Sequence, residues 1–424
     1  MRVGHAGEPN LRGVRQRLPP ALQIRDFGLL WGSLLTNGLA SQMLAVAIGW
    51  QVYSIRRNPL DLGLVGLMEF VPLPLLALPA GQLADRLPRR AVTAAAFTLN
   101  IAIAVLLVFV TLAGATRLWP FLGIAALAGV ANVVGNPAAR AMTPEIVPTE
   151  LVPSALALRG IAGQVGVIAG PALGGIIFSI EPVAVYITAA GLLTGSLVAI
   201  LAMRPVVRSF VTTEPPGWDS LVAGVRFIMR TRMLLGAISL DLFAVLLGDS
   251  IALAPVFARS ILHIGPIGLG LLRTAPSVGA LVAAVMLARK PLRTPAGPTM
   301  IAITAIFGVG MIVFGFSKWL PLSLAALAVT GFVDMVSVNI RQTAVTLLTP
   351  HHLQGRVNAV EWVFISASNE LGAFEAGALA RLVGTVPAVV SGGVAMLAIA
   401  ATWPRLFPAL ARMRRLEDLR PEPV

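Results

Sequence analysis

The chain has 424 residues, 57% of them hydrophobic and only 12% charged, with a formal net charge of +13. A water-soluble protein of this length carries roughly twice that share of charge, so lipid is the expected solvent. There is no cysteine, which excludes disulfides, thiol catalysis and cysteine-ligated metals.

The opening segment, MRVGHAGEPNLRGVRQRLPP, is polar and basic and carries no secretory cleavage pattern, so the first apolar run is expected to remain as a membrane span. About 20 apolar residues cross the hydrocarbon core of a bilayer. On that measure twelve spans are expected, at 27–55, 60–84, 90–113, 118–138, 154–179 and 182–203, then at 233–258, 263–288, 297–316, 319–342, 355–382 and 386–408. The runs are too long and continuous for barrel strands. The expected fold class is therefore an all-α membrane protein with 12 transmembrane helices in two pseudo-symmetric six-helix bundles.

The expected organisation is a cytoplasmic N-terminal segment 1–26, a first bundle 27–203, a cytoplasmic central loop 204–232, a second bundle 233–408 and a cytoplasmic tail 409–424. Within the central loop, Trp218, Leu221, Val222, Val225 and Ile228 recur at helical spacing while Arg226 and Arg230 fall elsewhere. That pattern predicts an amphipathic helix on the membrane surface, with a plain solvated linker as the alternative.

Orientation follows from the basic residues. With both termini placed in the cytoplasm, the far side holds Arg56, Arg57, Arg117, Arg259, Lys318 and Arg381, and spans hold Arg159 and Arg273. All other Lys and Arg, Arg341 included, fall on the cytoplasmic side, a bias of roughly four to one in the sense of the positive-inside rule. The net charge is thereby explained by anionic lipid, without nucleic acid as a partner. The halves also echo each other: GVANVVGN at 129–136 resembles GFVDMVSV at 331–338, and TPEIVP at 143–148 returns as TPHHLQ at 349–354. Weak repeats at half-chain offset are what a duplicated six-helix transporter shows.

The turn between the second and third spans reads GQLADRLPRR. It resembles the signature G-x-L-x-D-R-x-G-R-R of the major facilitator superfamily, matched by Gly81, Leu83, Asp85, Arg86, Arg89 and Arg90, with Pro88 in place of the usual glycine. The resemblance implies that Asp85 latches a gate against the start of the eleventh helix, near Leu353 to Arg356. A carboxylate is indeed favoured at the positive end of a helix dipole. Charge that merely sets topology is the plainer reading of the same turn. In the fifth span, GVIAGPALGG resembles the antiporter signature of the superfamily through Gly166, Gly170, Pro171, Gly174 and Gly175, although Ala157 stands where its longer form has glycine. Glycines four apart also bare one helix face for close packing, which requires no transport direction.

Longer stretches, among them GLVGLMEFVPLPLLALPAGQLADR and GRVNAVEWVFISASNELGAFEAGALA, look like the enterobactin-exporter and macrolide-efflux branch of the superfamily. The resemblance implies proton-driven export of amphipathic small molecules, of drug, macrolide or siderophore type, across a bacterial inner membrane. The cargo itself stays open. An importer or lysolipid-type transporter on the same fold, and a transport-inactive sensor, are the alternatives.

Ionisable groups inside spans are costly and mark candidate sites. Glu69 lies near the middle of span two and is the leading proton or substrate site, with a hydrogen-bonded packing acid as the alternative. Asp241 in span seven and Glu370 in span eleven are the next cavity candidates, whereas Asp249, Glu361 and Glu375 lie nearer span ends and are expected to pair with basic residues. Asp334 stands where Asn132 stands in the other half. Arg273 and Arg159 are expected either to pair with a carboxylate or to meet an anionic cargo. Thr36, Asn37, Ser41, Gln42 and Gln51 stripe span one, facing either a cavity or neighbouring helices. No P-loop occurs, the His351–His352 pair makes a poor metal site, and no catalytic triad can be assigned. Neither enzyme chemistry, a cofactor nor a metal is expected; the expected partners are a small-molecule substrate, protons and membrane lipid, with the chain monomeric.

Overall fold

The computed structural model describes residues 19–76, 79–80, 87–114, 116–204, 218–248, 250–290 and 295–413. Among these residues the chain is helical, with no strand. The long helices, in chain order, are α1 (Arg25–Arg56), α2 (Pro59–Phe70), α3 (Arg89–Leu112), α4 (Trp119–Ile146), α5 (Val152–Ile180) and α6 (Pro182–Ala202). They continue as α7 (Arg232–Gly248), α8 (Gly265–Arg289), α9 (Ala296–Phe316), α10 (Leu320–Leu348), α11 (His351–Val383) and α12 (Thr385–Leu406). A shorter surface helix, Trp218–Arg230, precedes α7.

Among the described residues, ten stretches are long and apolar enough by composition to cross a membrane. They omit α1 and α11. Proline marks many helix starts: Pro59, Pro120, Pro153, Pro182, Pro266 and Pro321 all sit in first turns, where their missing N–H has no intrahelical acceptor. Asn58 and Glu181 cap α2 and α6 through their side-chain oxygens. Gly384, at φ 95°, makes the one-residue joint between α11 and α12 that a side chain would strain.

Several helices outrun their apolar spans. α4 runs to Ile146 and α10 to Leu348, beyond the expected ends at 138 and 342, because helical hydrogen bonding continues where the apolar run stops. α7 as described ends at Gly248, and a short 3-10 turn (Ile251–Leu253), a helical turn (Ala254–Val256) and a π-helical turn (Phe257–Ile261) follow; Arg232–Ile261 together form one stretch long and apolar enough to cross a membrane, where one span was expected. Pro255 lies within this tail and cannot donate to a regular ladder.

The two halves pack alike. In the first half α1 packs on α5 and α6, α2 on α4, and α3 on α4 and α6; in the second, α7 packs on α11 and α12, α8 on α10, and α9 on α10 and α12. Adding six to each helix number turns one set into the other, pair for pair. The seam between halves is made by α2 against α11 and α5 against α8, two contacts that the same operation exchanges. The sequence echo has a packing cause: a β-carbon on Gly129 would fall 2.3 Å from the Glu69 carbonyl oxygen of α2, and one on Gly331 would fall 1.9 Å from the Pro276 carbonyl oxygen of α8. Both positions need a bare backbone where α4 and α10 cross their partners.

Outward faces of the helices expose Phe109 on α3, Val198 on α6, Val282 on α8, Val309 on α9 and Val394 on α12. Such a continuous apolar exterior suits lipid, not water. The surface helix has three faces: Gly224, Phe227 and Ile228 are buried against the protein, Val222, Val225 and Met229 are exposed, and Arg226 and Arg230 are exposed beside them.

Candidate functional site

Among the described residues, two cavities inside the bundle are lined by charged groups. The larger, of about 310 Å³, is lined from α7 to α12 by groups that include Asp241, Arg273, Phe307, Asp334, Ser337 and Asn369, with Gln42 of α1 closing one side. The smaller, of about 130 Å³, lies at the seam and is lined by Gly49 of α1, Gly66 and Glu69 of α2, Pro255, Arg273 of α8, and Glu370 and Ala373 of α11. The larger of these two is lined mostly by the second half, and Arg273 borders both spaces.

The seam cavity gathers three of the charged residues picked out by sequence. Glu69 comes from the first half, and Arg273 and Glu370 come from the second; each lies within electrostatic range of the other two. The close approach rests on small residues, since a β-carbon on Gly66 would lie 2.9 Å from the Ala373 β-carbon and 3.1 Å from the Glu370 carbonyl oxygen. Near one end of the same seam, a β-carbon on Gly377 would meet the Gly63 Cα at 2.8 Å. Two carboxylates and one guanidinium leave the ionised cluster with one excess negative charge in a water-poor setting, which a single proton would balance.

Asp241 does not join this cluster. Its carboxylate lies 3.2 Å from Nη2 of Arg341, whose Nη1 donates to Glu361 Oε1. Arg341, counted with the cytoplasmic side from the sequence, is buried within α10, 2% exposed. Its signal in the sequence was indirect: two acids buried on α7 and α11 required a cation, and the longer α10 supplies it. Glu361 pairs with a basic residue as expected. Arg159 is remote from all of these; its Nη1 donates to the Arg140 carbonyl at 3.3 Å, so its hydrogen-bond partner is a backbone oxygen and not a carboxylate.

The polar stripe of α1 divides. Thr36 meets the Ser196 hydroxyl at 2.7 Å, and Gln51 accepts from the Tyr186 hydroxyl at 2.5 Å and donates to Thr111 at 3.1 Å. These are helix-to-helix bonds, while Gln42 faces the large cavity.

The glycines of α5 work at close range. A β-carbon on Gly166 would lie 2.9 Å from the Gly38 carbonyl carbon, and one on Gly174 would lie 2.9 Å from the Met43 Cα. Gly170 packs on Gln42 in the same way, and a β-carbon on Gly175 would lie 2.5 Å from the Pro266 carbonyl oxygen of α8. Pro171 presents its carbonyl oxygen to Gly270 of α8. The stripe thus joins α5 to α1 and, across the seam, to α8.

Of the turn motif, Gly81, Leu83, Asp85 and Arg86 lie outside the described residues. Arg89 pairs with Glu145 at 2.8 Å and donates to the Ala141 carbonyl, tying α3 to α4. Arg90 donates to the Ile200 and Leu201 carbonyls at the end of α6, where a cation suits the negative end of the helix dipole.

At the opposite end, α1 is joined to the tail of α7. The Tyr53 and Ser260 hydroxyls are 2.9 Å apart, Arg259 donates to Ser54, and its guanidinium stands 5.2 Å from the Trp50 ring centre.

The profile of the family described as transmembrane secretion effectors matches residues 18–418. The chain belongs to that branch of the major facilitator superfamily. It is similar to the multidrug efflux pump Tap of Mycolicibacterium fortuitum, 27% identical over 89% of this chain and 95% of Tap. It is also similar to the enterobactin exporter EntS of Citrobacter koseri, 25% identical over 90% of this chain and 91% of EntS. Among solved structures, a bacterial homologue of the human lysosomal transporter Spinster in an inward-facing, occupied conformation superposes with a TM-score of 0.72 at 14% identity, covering 99% of this chain and all of that one. A peptide-complexed transporter of the POT family gives 0.73 at 13% identity, over 93% of this chain and 99% of that one. The all-α major facilitator fold and a role as a multi-pass transporter of small molecules, not an enzyme, follow from family and fold together.

Proposed function

We propose that the chain exports amphipathic small molecules in exchange for protons by alternating access, with both termini in the cytoplasm and the surface helix against the inner leaflet. The observation that carries this reading is the seam cluster of Glu69, Arg273 and Glu370, whose excess negative charge lies between two halves that must part and meet during transport. One positive charge satisfies the cluster, brought either by a proton or by a cationic part of the cargo. Binding of the two is then mutually exclusive, which is the requirement for exchange. Arg273 links the events, because it borders both the seam and the large cavity. When the halves separate along α2 and α11, Glu69 leaves its partners and meets water, so its proton exchanges with one side only.

Support for direction comes from two sides. EntS is by its name an exporter and Tap an efflux pump, and the glycine stripe of α5 resembles the antiporter signature of the superfamily. The contacts of Tyr53, Ser54 and Trp50 with the tail of α7 would then form the gate facing away from the cytoplasm. Asp85, with Gly81, Arg86, Arg89 and Arg90, would serve the cytoplasmic gate.

The test uses everted vesicles holding a respiration-driven pH gradient, challenged with macrolides, siderophores and cationic dyes. Collapse of the gradient with the wild-type chain, absent with Glu69→Gln, is expected for at least one compound class. No collapse with any compound, in vesicles shown to contain the inserted chain, contradicts proton-coupled export.

A further inference from the structure

Asp241, Arg341 and Glu361 stand outside the seam, joined across α7, α10 and α11. Their side chains are 8%, 3% and 10% exposed, and Arg341 serves both carboxylates at once. Its Nε is also buried, without a hydrogen-bond partner. The guanidinium is therefore not saturated by the two acids, and two acids remain for one cation.

We propose that these three residues form a second proton-binding site, in which one proton is shared by two carboxylates around one guanidinium and exchanges through Asp241 with the large cavity. Fully ionised, the group would hold one unbalanced negative charge among buried side chains, and the cost of such a charge falls on whichever carboxylate is less well paired. Other charges beside Asp241, among the described residues, come from the cavity lining. Asp334 of α10 and Arg273 of α8 line the same cavity as Asp241, and α9 and α12 bring uncharged groups such as Thr304 and Met396. A proton bound here is carried on Asp241 or Glu361, and Asp241 is the one with a path to the cavity.

The placement of Glu361 and Glu370 gives the site its meaning. They are nine residues apart on α11, about 13 Å along the axis and on opposite faces of the helix. Glu370 faces the seam and Glu361 faces the interior of its own half. Separation of the halves disturbs the first cluster directly, whereas the second is reached from the cavity, so a basic cargo beside Asp241 displaces its proton without the halves having to part. The chain then carries a proton acceptor for each event, cargo entry and rearrangement.

The site is tested without cargo and without transport, so its outcome is separate from that of the exchange reading. Purified full-length protein in lipid nanodiscs is treated with a hydrophobic carbodiimide, which reacts with protonated carboxyl groups, and labelled peptides are mapped by mass spectrometry. Labelling at Asp241 or Glu361 that fades as the pH is raised is expected in the wild type. In parallel, pH-difference infrared spectra are expected to lose the same protonated-carboxyl band in Asp241→Asn and in Glu361→Gln, because either change leaves one acid for one guanidinium, and to retain it in Glu370→Gln. A chain labelled at Glu69 or Glu370 but at neither Asp241 nor Glu361 overturns the second site while leaving the first intact. A band unchanged in Asp241→Asn and Glu361→Gln overturns it likewise.

Discussion

Replacing Arg341 by Met would leave Asp241 and Glu361 facing each other without their shared cation. Both are 7% exposed, so water cannot take the place of the guanidinium. Removing one partner of a buried ion pair costs about 3–5 kcal/mol, chiefly because the remaining charge stays buried. The two pairs do not add, since one of the acids can take up a proton once the cation is gone; a loss near the single-pair figure is expected. Making the whole group neutral, as Asp241→Asn with Arg341→Met and Glu361→Gln, removes the stranded charge and should bring stability back to within about 1 kcal/mol of wild type. Equilibrium unfolding in mixed micelles, followed by the fluorescence of the seven tryptophans, reads both values. A loss below about 1 kcal/mol for Arg341→Met, or a triple variant no more stable than Arg341→Met, would refute the claim that burial and charge balance govern this group.

Gly377→Leu should force α2 and α11 apart, because even a β-carbon there would meet Gly63 at 2.8 Å; overpacking of about 1–3 kcal/mol and a loss of transport in a correctly inserted chain are expected from vesicle assays. Tyr53→Phe removes the bond to Ser260, worth about 1 kcal/mol, so the end of the bundle near α1 and the α7 tail should open about fivefold more often. Because the chain has no native cysteine, Ile251→Cys provides a unique reporter, and its labelling rate by a membrane-impermeant thiol reagent should rise by that factor. Gly170→Leu should break the packing of α5 on Gln42 and Leu39 and lower the yield of folded protein, checked by gel filtration after extraction.

The helices were legible in the sequence because their cause is local: apolar length suited to a bilayer, with proline at the starts. Boundaries failed where helices leave the apolar layer, as α4 does after 138 and α10 after 342. The duplication was legible through Gly129 and Gly331, since close backbone packing tolerates no side chain at either position. Charges within the spans identified Glu69, Glu370 and Arg273 one at a time. Their meeting was not legible, because it depends on three helices from two halves. The pairing of Arg341 was not legible for the same reason: seven residues from the end of α10, it looks like a rim cation until the acids of α7 and α11 are seen around it.

The central claim is that proton movement drives cargo movement through the seam cluster. The most direct test reconstitutes the purified chain in liposomes with equal cargo concentration on both sides and imposes a pH gradient alone. Cargo accumulating in the compartment from which protons flow, and failing to do so with Glu370→Gln, is the expected result. Cargo that stays at equal concentration whatever the pH gradient, yet equilibrates when its own gradient is imposed, would contradict exchange with protons.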